Sequence, residues 1–392
     1  MNYRTDKYGN PISALGFGCM RFARKHGSID LAAAEQLVCE AVRQGINYFD
    51  TAYIYPGSEA ALGEILQKNG LRDQVNIATK LPHYLIKSMA ALERCFNEQL
   101  RRLRTDHIDY YLMHMLNDAA TWQKLCGMGV LQWLQQKKQS GAIRQLGFSY
   151  HGSADAFCTL LDAYDWDFCQ IQYNYLDEHT QAGRRGLQHA AAKGVPVIIM
   201  EPLRGGKLVD RLPKQALQRF AQHPAGHTPA GWAFRWLWDQ PEVTCVLSGM
   251  NSMEMLLENL QTASDMQAGS LTGQERAMFS EVAALIRQST RVGCTGCGYC
   301  MPCPAGVDIP GCFAAYNREA TESRAAARKE YLMCTAMRGQ SAAASQCVGC
   351  GRCEQHCPQG INIREQLAAC AARMETLPYK IARKGVELLR LY

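Results

Sequence analysis

The sequence predicts an α/β chain in which eight β/α units close into a barrel, followed by a small, mainly helical domain. Short β-branched or aromatic runs alternate with amphipathic stretches from residue 12 to residue 266. Strands that alternate with helices form a parallel sheet, and eight such units in about 250 residues favour a closed (β/α)8 barrel. The alternative fold is an open doubly wound sheet. No Gly-x-Gly-x-x-Gly motif follows the first strand, which counts against that alternative.

The expected elements alternate along the barrel segment. Strands are predicted at Leu15–Gly18, Asn47–Asp50, Val75–Thr79, Ile108–Met113, Gln145–Ser149, Phe168–Tyr173, Val195–Met200 and Thr244–Ser248. Helices are predicted at Leu31–Gln44, Ser58–Lys68, Lys87–Leu103, Thr121–Gln139, Ala154–Tyr164, Thr180–Lys193 and Ser252–Ala263. Serines are expected at three N-caps: Ser28, Ser58 and Ser252. Glycines are expected to end three helices: Gly45, Gly141 and Gly194.

Length and composition indicate two domains. A chain of 392 residues is long for one domain, and a hydrophobic fraction of 47% is ample for packed cores. We expect a barrel over residues 1–270, a helical linker over 271–290 and a cysteine-rich domain over 291–392. In the last domain, helices are predicted at Gly311–Arg338 and Ile363–Arg373.

The charge pattern and the apolar runs exclude several classes of partner. The formal net charge is +6, and no basic-aromatic tract is present, so we expect no nucleic-acid partner. No run of 18 or more apolar residues occurs, so we expect no membrane span. The first residues lack the apolar core of a secretory signal, which argues against secretion.

Two runs of cysteines dominate the last hundred residues. The first run contains Cys294, Cys297, Cys300 and Cys303, and the second contains Cys347, Cys350, Cys353 and Cys357. A proline follows the last cysteine of each run. The second run has the bacterial ferredoxin spacing for a 4Fe–4S cluster, and the first is one residue shorter between its last two cysteines. The alternative is a pair of zinc sites, but zinc sites rarely use three evenly spaced Cys-x-x-Cys steps.

The fourth cysteine of each run is expected to serve the other cluster, as in two-cluster ferredoxins. One cluster would then be held by Cys294, Cys297, Cys300 and Cys357, and the other by Cys347, Cys350, Cys353 and Cys303. Of the 18 cysteines, 7 precede residue 290 and are scattered through apolar segments, so they resemble small buried hydrophobic residues. Thiols and clusters together favour a reducing compartment, the cytoplasm.

Four ionisable side chains fall at or just after the ends of successive predicted strands. Asp50 ends the second strand and Tyr55 follows in the next loop, while Lys80 and His114 follow the third and fourth strands. In barrels of this type, catalytic groups project from the carboxyl ends of the strands. A tyrosine acts as an acid near neutral pH only when a nearby cation lowers its pKa, and Lys80 could supply that charge. The set suits proton delivery to a carbonyl that is being reduced by hydride. Each residue also has an ordinary structural interpretation, such as a helix cap or a solvated loop residue.

These segments resemble the catalytic segments of the aldo-keto reductases. The resemblance rests on Asp50-Thr-Ala-Tyr-Ile-Tyr55, Ala78-Thr-Lys80, Tyr111-Leu-Met-His114 and the opening strand Leu15–Met20. The cysteine runs are similar to those of the branch with a C-terminal ferredoxin-type domain. The resemblance implies a carbonyl or alcohol substrate, with Tyr55 as the proton donor and Asp50, Lys80 and His114 completing the tetrad.

The resemblance also implies a nicotinamide cofactor, NADP(H) or NAD(H), across the barrel mouth. Its carboxamide would meet Ser149 and Gln172, and its phosphates would meet the loops after strands seven and eight. The phosphate residues would be Arg204, Gly205, Lys207, Gly249 and Asn259. The sequence departs from the family where basic side chains usually follow strand eight, because Gly249–Met255 contains none and carries Glu254. A choice of NADPH over NADH is therefore not supported.

The two kinds of cofactor differ in how they carry electrons. Nicotinamides move two electrons as hydride, whereas a cubane cluster passes one at a time, so direct exchange is expected to need a converter such as a flavin. The barrel could bind a flavin instead, or the clusters could serve an external ferredoxin, flavodoxin or flavoprotein, or be structural. A different function is that of an electron-transfer module with the barrel as scaffold. The basic tail Tyr379–Arg390 could dock an acidic carrier or be a solvated helix face.

Overall fold

A computed structural model describes residues 1–336 and 341–389. Its largest element is a closed barrel of eight parallel strands in which each strand pairs with the next and the last pairs with the first. The strands are Leu15–Gly18, Tyr48–Asp50, Asn76–Leu81, Ile108–Met113, Ile143–Tyr150, Phe168–Gln172, Val197–Met200 and Val243–Ser248. The predicted (β/α)8 barrel is therefore confirmed.

Large apolar side chains fill the interior of the barrel. The inward-facing cluster includes Tyr48, Tyr110 and Phe168, whose rings meet at centroid distances of 5.0 and 5.1 Å. Alternate residues of a strand point to the same side, which is why Tyr110 and Leu112 share this cluster. The interior is a packed core, so chemistry is confined to the strand ends.

Short antiparallel pairs and helices complete the barrel unit. The pairs are Tyr3–Thr5 with Pro11–Ser13 and Arg24–Lys25 with Ser28–Ile29. The α-helices are Leu31–Arg43, Ser58–Lys68, Met89–Leu103, Ala119–Gly127, Val130–Gln139, Ala154–Asp162, Gly183–Ala192, Pro229–Trp238 and Met253–Asp265. Short 3-10 turns lie at Cys19–Arg21, Arg72–Gln74 and His83–Leu85.

Three local predictions need correction. The helix expected over Thr121–Gln139 is broken, because Gly129 has a φ of 90° and starts a second helix. The first helix is capped by Asp30, which accepts from the Ala33 N–H, and Ser28 lies in a short strand instead. Ser58 is the first residue after its N-cap, whereas Ser252 caps its helix as expected by accepting from the Met255 N–H.

The chain forms two compact units. The barrel unit contains Met1–Pro202 and Ala230–Thr272, and the second unit contains Leu203–Pro229 and the chain from Gly273 onward. Helices of the second unit are Lys207–Asp210, Lys214–Ala221, Gly273–Ser289, Ile309–Thr321, Arg324–Thr335, Arg352–Gln355, Ile363–Met374 and Leu377–Leu389, with 3-10 turns at Arg204–Gly206 and Ala344–Gln346. No helix within the described ranges is long and apolar enough to cross a membrane.

The second unit has its own apolar core. Its buried residues include Phe313, Tyr331 and Leu367, and six of the eight cysteines of the two runs pack against them. The single helix predicted over Gly311–Arg338 is two helices, because Glu322 leaves the helical conformation and Ser323 caps the next helix. Arg338 and Arg390, the ends of two predicted segments, lie outside the described residues.

Candidate active site and cysteine loops

A buried ion pair lies at the carboxyl ends of the second and third barrel strands. Asp50 ends its strand and is paired in register with Ala78, so Lys80 lies two residues further along the neighbouring strand. Lys80 Nζ is 2.6 and 2.7 Å from the two Asp50 carboxylate oxygens and 2.8 Å from the Thr51 carbonyl oxygen. These three contacts match the three N–H donors of an ammonium group. The position of the cation is therefore fixed.

Tyr55 lies beside this cation, in the loop after the second strand. Lys80 Nζ is 5.2 Å from the centroid of the Tyr55 ring. The loop is held by the Ser58 hydroxyl, which is 2.8 Å from the Thr51 hydroxyl and donates to the Cys19 carbonyl at 3.0 Å. The Tyr55 ring therefore lies beside the fixed charge of Lys80.

His114 is the third member of the group around Lys80. Its backbone N–H donates to the Leu81 carbonyl at 2.9 Å, and its ring is nearly perpendicular to that of Tyr55 at 6.2 Å between centroids. The buried Nδ1 atom has no partner among the described residues. Burial lowers the pKa of His114 well below its ordinary value, and the charge of Lys80 lowers it further. The imidazole is therefore neutral at physiological pH.

Asp50 experiences two opposing influences. Burial raises the pKa of its carboxyl group, and the Lys80 ammonium and a hydrogen bond with Gln170 act in the opposite direction. A buried carboxylate is retained only when it is paired and hydrogen-bonded, and here both conditions are met. The structure thus brings together the four residues that the sequence placed at successive strand ends.

Two histidines and a tyrosine near His114 were missed by the sequence reasoning. His83 and Tyr84 follow the third strand, and the Tyr84 ring lies 6.2 Å from that of His114. His151 follows the fifth strand, and one ring nitrogen lies 3.1 Å from the Gln181 side-chain oxygen. Burial lowers the pKa of His151 to about 4. Their positions just after strands are the signal that could have identified them.

The residues expected to meet a nicotinamide carboxamide lie on the fifth and sixth strands. Ser149 Oγ accepts from the Met115 N–H at 2.9 Å. The Gln172 side-chain amide donates to Asp177 at 2.9 Å and accepts from Gln181. Both side chains are buried at the same end of the barrel as the tetrad. These hydrogen bonds fix the orientation of both side chains.

The segment after the eighth strand contains the other predicted barrel residues. Asn259 is buried and donates to the Ser248 hydroxyl at 3.0 Å. Arg21, from the first strand–helix loop, lies against Gly249, where an added Cβ would be 3.0 Å from Arg21 Cδ. Glycine therefore allows the arginine stem to cross this segment. Arg21 was not predicted from the sequence, and it brings a cation to a segment that has none of its own.

Arg204, Gly205 and Lys207 belong to the second unit. Arg204 and Gly205 have φ values of 48° and 69° and form a tight turn. The Arg204 guanidinium donates to the Gly293 carbonyl at 3.0 Å, and the Lys207 ammonium donates to the Cys294 carbonyl. Both cations of this predicted phosphate loop therefore contact the start of the first cysteine run.

Four cysteines line one cavity in the second unit. They come from both runs and are Cys294, Cys297, Cys300 and Cys357. Burial raises the pKa of the Cys353 thiol, and the charge of Glu354 raises it further. Cys347 and Cys303 make smaller contributions in the same direction, so both lie near Cys353. Among the described residues, no three metal-binding side chains lie close enough together to hold a single metal ion. Once deprotonated, the four cysteines of the cavity would supply the four thiolates that a 4Fe–4S cube requires.

The comparison with protein families agrees with both parts of this geometry. A model described as the aldo/keto reductase family matches residues 14–273, and a model described as a 4Fe-4S dicluster domain matches residues 293–361. The chain belongs to the aldo/keto reductase family. It is therefore an oxidoreductase of that type, with a C-terminal 4Fe-4S dicluster domain.

Individual relatives and solved structures match 53% to 72% of this chain. L-galactose dehydrogenase of Arabidopsis thaliana is 27% identical over 300 residues, which are 71% of this chain and 92% of that protein. A Schizosaccharomyces pombe aldo-keto reductase whose name carries NADP(+) is 24% identical over 53% of this chain and 63% of its own. An aldo-keto reductase structure from Bacillus halodurans, in its holo form, has a TM-score of 0.59 and 25% identity over 72% of this chain and 96% of that one.

Proposed function

We propose that this reductase interconverts a carbonyl and an alcohol, with Tyr55 donating the proton to the carbonyl oxygen. The observation that carries the proposal is the Lys80 ammonium, which is held by Asp50 and lies 5.2 Å from the Tyr55 ring. A cation at this distance lowers the cost of forming the phenolate. Asp50 keeps the cation in place, and the neutral His114 orients the substrate oxygen by hydrogen bonding.

The proposal is tested by comparing two tyrosines in one loop. Tyr55→Phe should lower the rate of carbonyl reduction by roughly 10²–10⁴-fold, because the proton donor is lost. Tyr53→Phe is the matched control, since Tyr53 contacts Arg102 through its ring face, which phenylalanine preserves. Rates should be measured anaerobically with iron content recorded for both variants. Equal rates in the two variants would contradict the role of Tyr55.

We propose that a nicotinamide cofactor binds at the barrel mouth and supplies the hydride. Ser149 and Gln172 would bind its carboxamide, and Gly249, Asn259 and Arg21 would surround its phosphates. The name of the fission-yeast relative supports NADP(H). Arg21 replaces the basic residues missing after the eighth strand, because its stem lies on Gly249. Arg204, Gly205 and Lys207, also predicted from the sequence, would instead serve the cysteine loop that Arg204 and Lys207 contact.

Titration with NADPH and NADH tests the role of Arg21. Arg21→Met should weaken NADPH binding by about tenfold, the loss expected for one charge-assisted phosphate contact. A loss confined to NADPH would place Arg21 at the 2′-phosphate, and an equal loss for NADH would place it at the pyrophosphate. Lys25→Met is the control, because it removes an exposed charge from the following strand pair. Unchanged binding of both cofactors would exclude Arg21.

We propose two 4Fe–4S clusters with exchanged fourth ligands. The first would be bound by Cys294, Cys297, Cys300 and Cys357, and the second by Cys303, Cys347, Cys350 and Cys353. The cavity shared by Cys357 with the first run supports this arrangement. In electron paramagnetic resonance spectra of reduced protein, Cys357→Ser should change the same signal as Cys297→Ser. If it changed the signal affected by Cys350→Ser, the exchange would be wrong; zinc in place of iron would exclude the clusters.

A second candidate function is electron transfer, which the two cysteine runs favour in a chain that also carries the tetrad. The barrel could take electrons from a flavin, or the clusters could exchange them with a ferredoxin, flavodoxin or flavoprotein. Flavin, iron and sulfide should be assayed on one anaerobic preparation. A flavin-free protein that reduces carbonyls with NAD(P)H, at a rate unchanged by Cys297→Ser and Cys350→Ser, would rule out electron relay for this reaction.

We also propose a polar substrate and a cytoplasmic location. His83, Tyr84 and His151 lie around His114, and polar side chains favour a substrate with hydroxyl or carboxyl groups. None of the 18 cysteines forms a disulfide bond, which suits a reducing compartment. A panel of hydroxylated and apolar aldehydes of equal length would test the first proposal, and a preference for the apolar members would contradict it.

A further inference from the structure

One segment of the second unit comes from the middle of the chain. Leu203–Pro229 lies between the seventh and eighth barrel strands in sequence, yet it forms part of the compact unit that contains the cysteine runs. Its first residues form a turn in which Arg204, Gly205 and Gly206 all have positive φ. A non-glycine residue in this conformation is uncommon and is held by its surroundings. Here Arg204 is buried, and its guanidinium donates to the Gly293 carbonyl at 3.0 Å.

This turn directs Lys207 at the first cysteine run. The ammonium donates to the Cys294 carbonyl, and a Cβ placed on Gly296 would lie 3.7 Å from Lys207 Nζ. In the same loop, the Gly296 N–H donates to the Cys294 sulfur at 3.4 Å. Lys207 is therefore next to the residues that would carry the negative charge of a thiolate-bound cube.

The second cysteine run has a different electrostatic environment. Val348 is 72% exposed, and Cys350 is exposed as well. Arg364 donates to the Gly349 carbonyl at 3.4 Å, but its guanidinium is paired with the Glu354 carboxylate at 2.9 Å. Water screens charges at an exposed loop, and the carboxylate offsets the arginine. The two cluster loops are thus expected to stabilise added negative charge to different extents.

We propose that Lys207, positioned by the Arg204 turn, raises the reduction potential of the cluster bound by Cys294, Cys297, Cys300 and Cys357 above that of the other cluster. The inference rests on the two clusters proposed above. Reduction adds one electron from an external donor and no proton, so the reduced cube carries one more negative charge. A fixed cation stabilises that charge. Lys207 acts as a positioning residue: its charge favours the first cluster over the second as the site of the added electron.

The test is a dithionite titration of the anaerobic holoprotein, followed by electron paramagnetic resonance. At a fixed potential, Lys207→Met should lower the ratio of reduced to oxidised first cluster by about tenfold. For one electron, this change corresponds to a reduction potential lower by about 59 mV. The second cluster should titrate as in the wild type. Lys207→Arg should restore the wild-type ratio because it keeps the charge. Lys214→Met removes an exposed lysine from the same segment and should change neither cluster.

The possible results separate this inference from the proposed function. If Lys207→Met contains two clusters in normal amount and the reduction potential of the first cluster is unchanged, the proposed effect of Lys207 is wrong. That result would not bear on the proposed carbonyl reduction. A potential that shifts equally in Lys207→Arg and Lys207→Met would also overturn the proposed effect of Lys207, because charge would not be the cause. A wild-type protein without iron would overturn both this inference and the proposed clusters, whereas carbonyl reduction in that protein would still depend on Tyr55.

Discussion

Breaking the Asp50–Lys80 pair should destabilise the barrel more than removing both charges. Both side chains are almost fully buried, at 6% and 1% exposure, and the ammonium contacts both carboxylate oxygens within 2.7 Å. Lys80→Met leaves a buried carboxylate without its counter-ion, which costs about 3–5 kcal/mol. Asp50→Asn leaves the ammonium with neutral acceptors, including the Thr51 carbonyl oxygen, but without a counter-ion, and a similar loss is expected.

The double variant Asp50→Asn with Lys80→Met gives the decisive comparison. With both charges gone, the free energy of unfolding should return to within about 2 kcal/mol of the wild type, because neither an unpaired cation nor an unpaired anion is buried. Urea unfolding followed by tryptophan fluorescence is the assay. All six tryptophans lie in the segments of the barrel unit, so the signal reports on that unit.

The pH dependence supplies an independent check on the same variants. In the wild type, burial raises the pKa of Asp50 and the Lys80 cation lowers it. Lys80→Met removes the cation, so the pKa of Asp50 should rise further. A carboxyl group with a raised pKa in the folded state binds more protons when folded, so the Lys80→Met protein should lose stability as the pH rises. If the stability losses of the two single variants add in the double variant, and the stability of Lys80→Met does not vary between pH 5 and pH 8, the two charges do not form a stabilising pair.

Three further predictions concern the barrel unit. Gly63→Ala places a methyl group 2.4 Å from the Arg102 carbonyl oxygen and should cost about 3 kcal/mol in thermal or urea unfolding, whereas Gly127→Ala, with no atom within 4 Å, should change stability by less than about 1 kcal/mol. The pKa of His151 is lowered to about 4, so its neutral form favours folding and that stability is lost as the pH falls from about 6.5 to 4; His151→Gln should remove about 3 kcal/mol of this dependence. Ser252→Ala removes an N-cap and should cost about 1 kcal/mol, and no change in urea midpoint would contradict that cap.

Several elements could be predicted from local patterns because their cause is local. Ile108–Met113 and Leu15–Gly18 were predicted at the observed bounds, since each is a short apolar run beside a polar turn. The break at Gly129 was missed because the apolar period continues on both sides of it. Asp30 was missed as a cap because a serine two residues earlier fits the same rule, and only the backbone conformation distinguishes them.

The amino-acid order alone determined the barrel class, the four ionisable residues at strand ends and the two cysteine runs, because strand periodicity and ligand spacing are properties of short segments. The distances that give those residues a chemistry depend on closure of the sheet, which sets Lys80 against Asp50 and His114 beside Tyr55. Closure joins segments far apart in the chain, so no local pattern records it. The same holds for Lys207, whose contact with Cys294 spans 87 residues and exists only because the turn at Arg204 packs in the second unit.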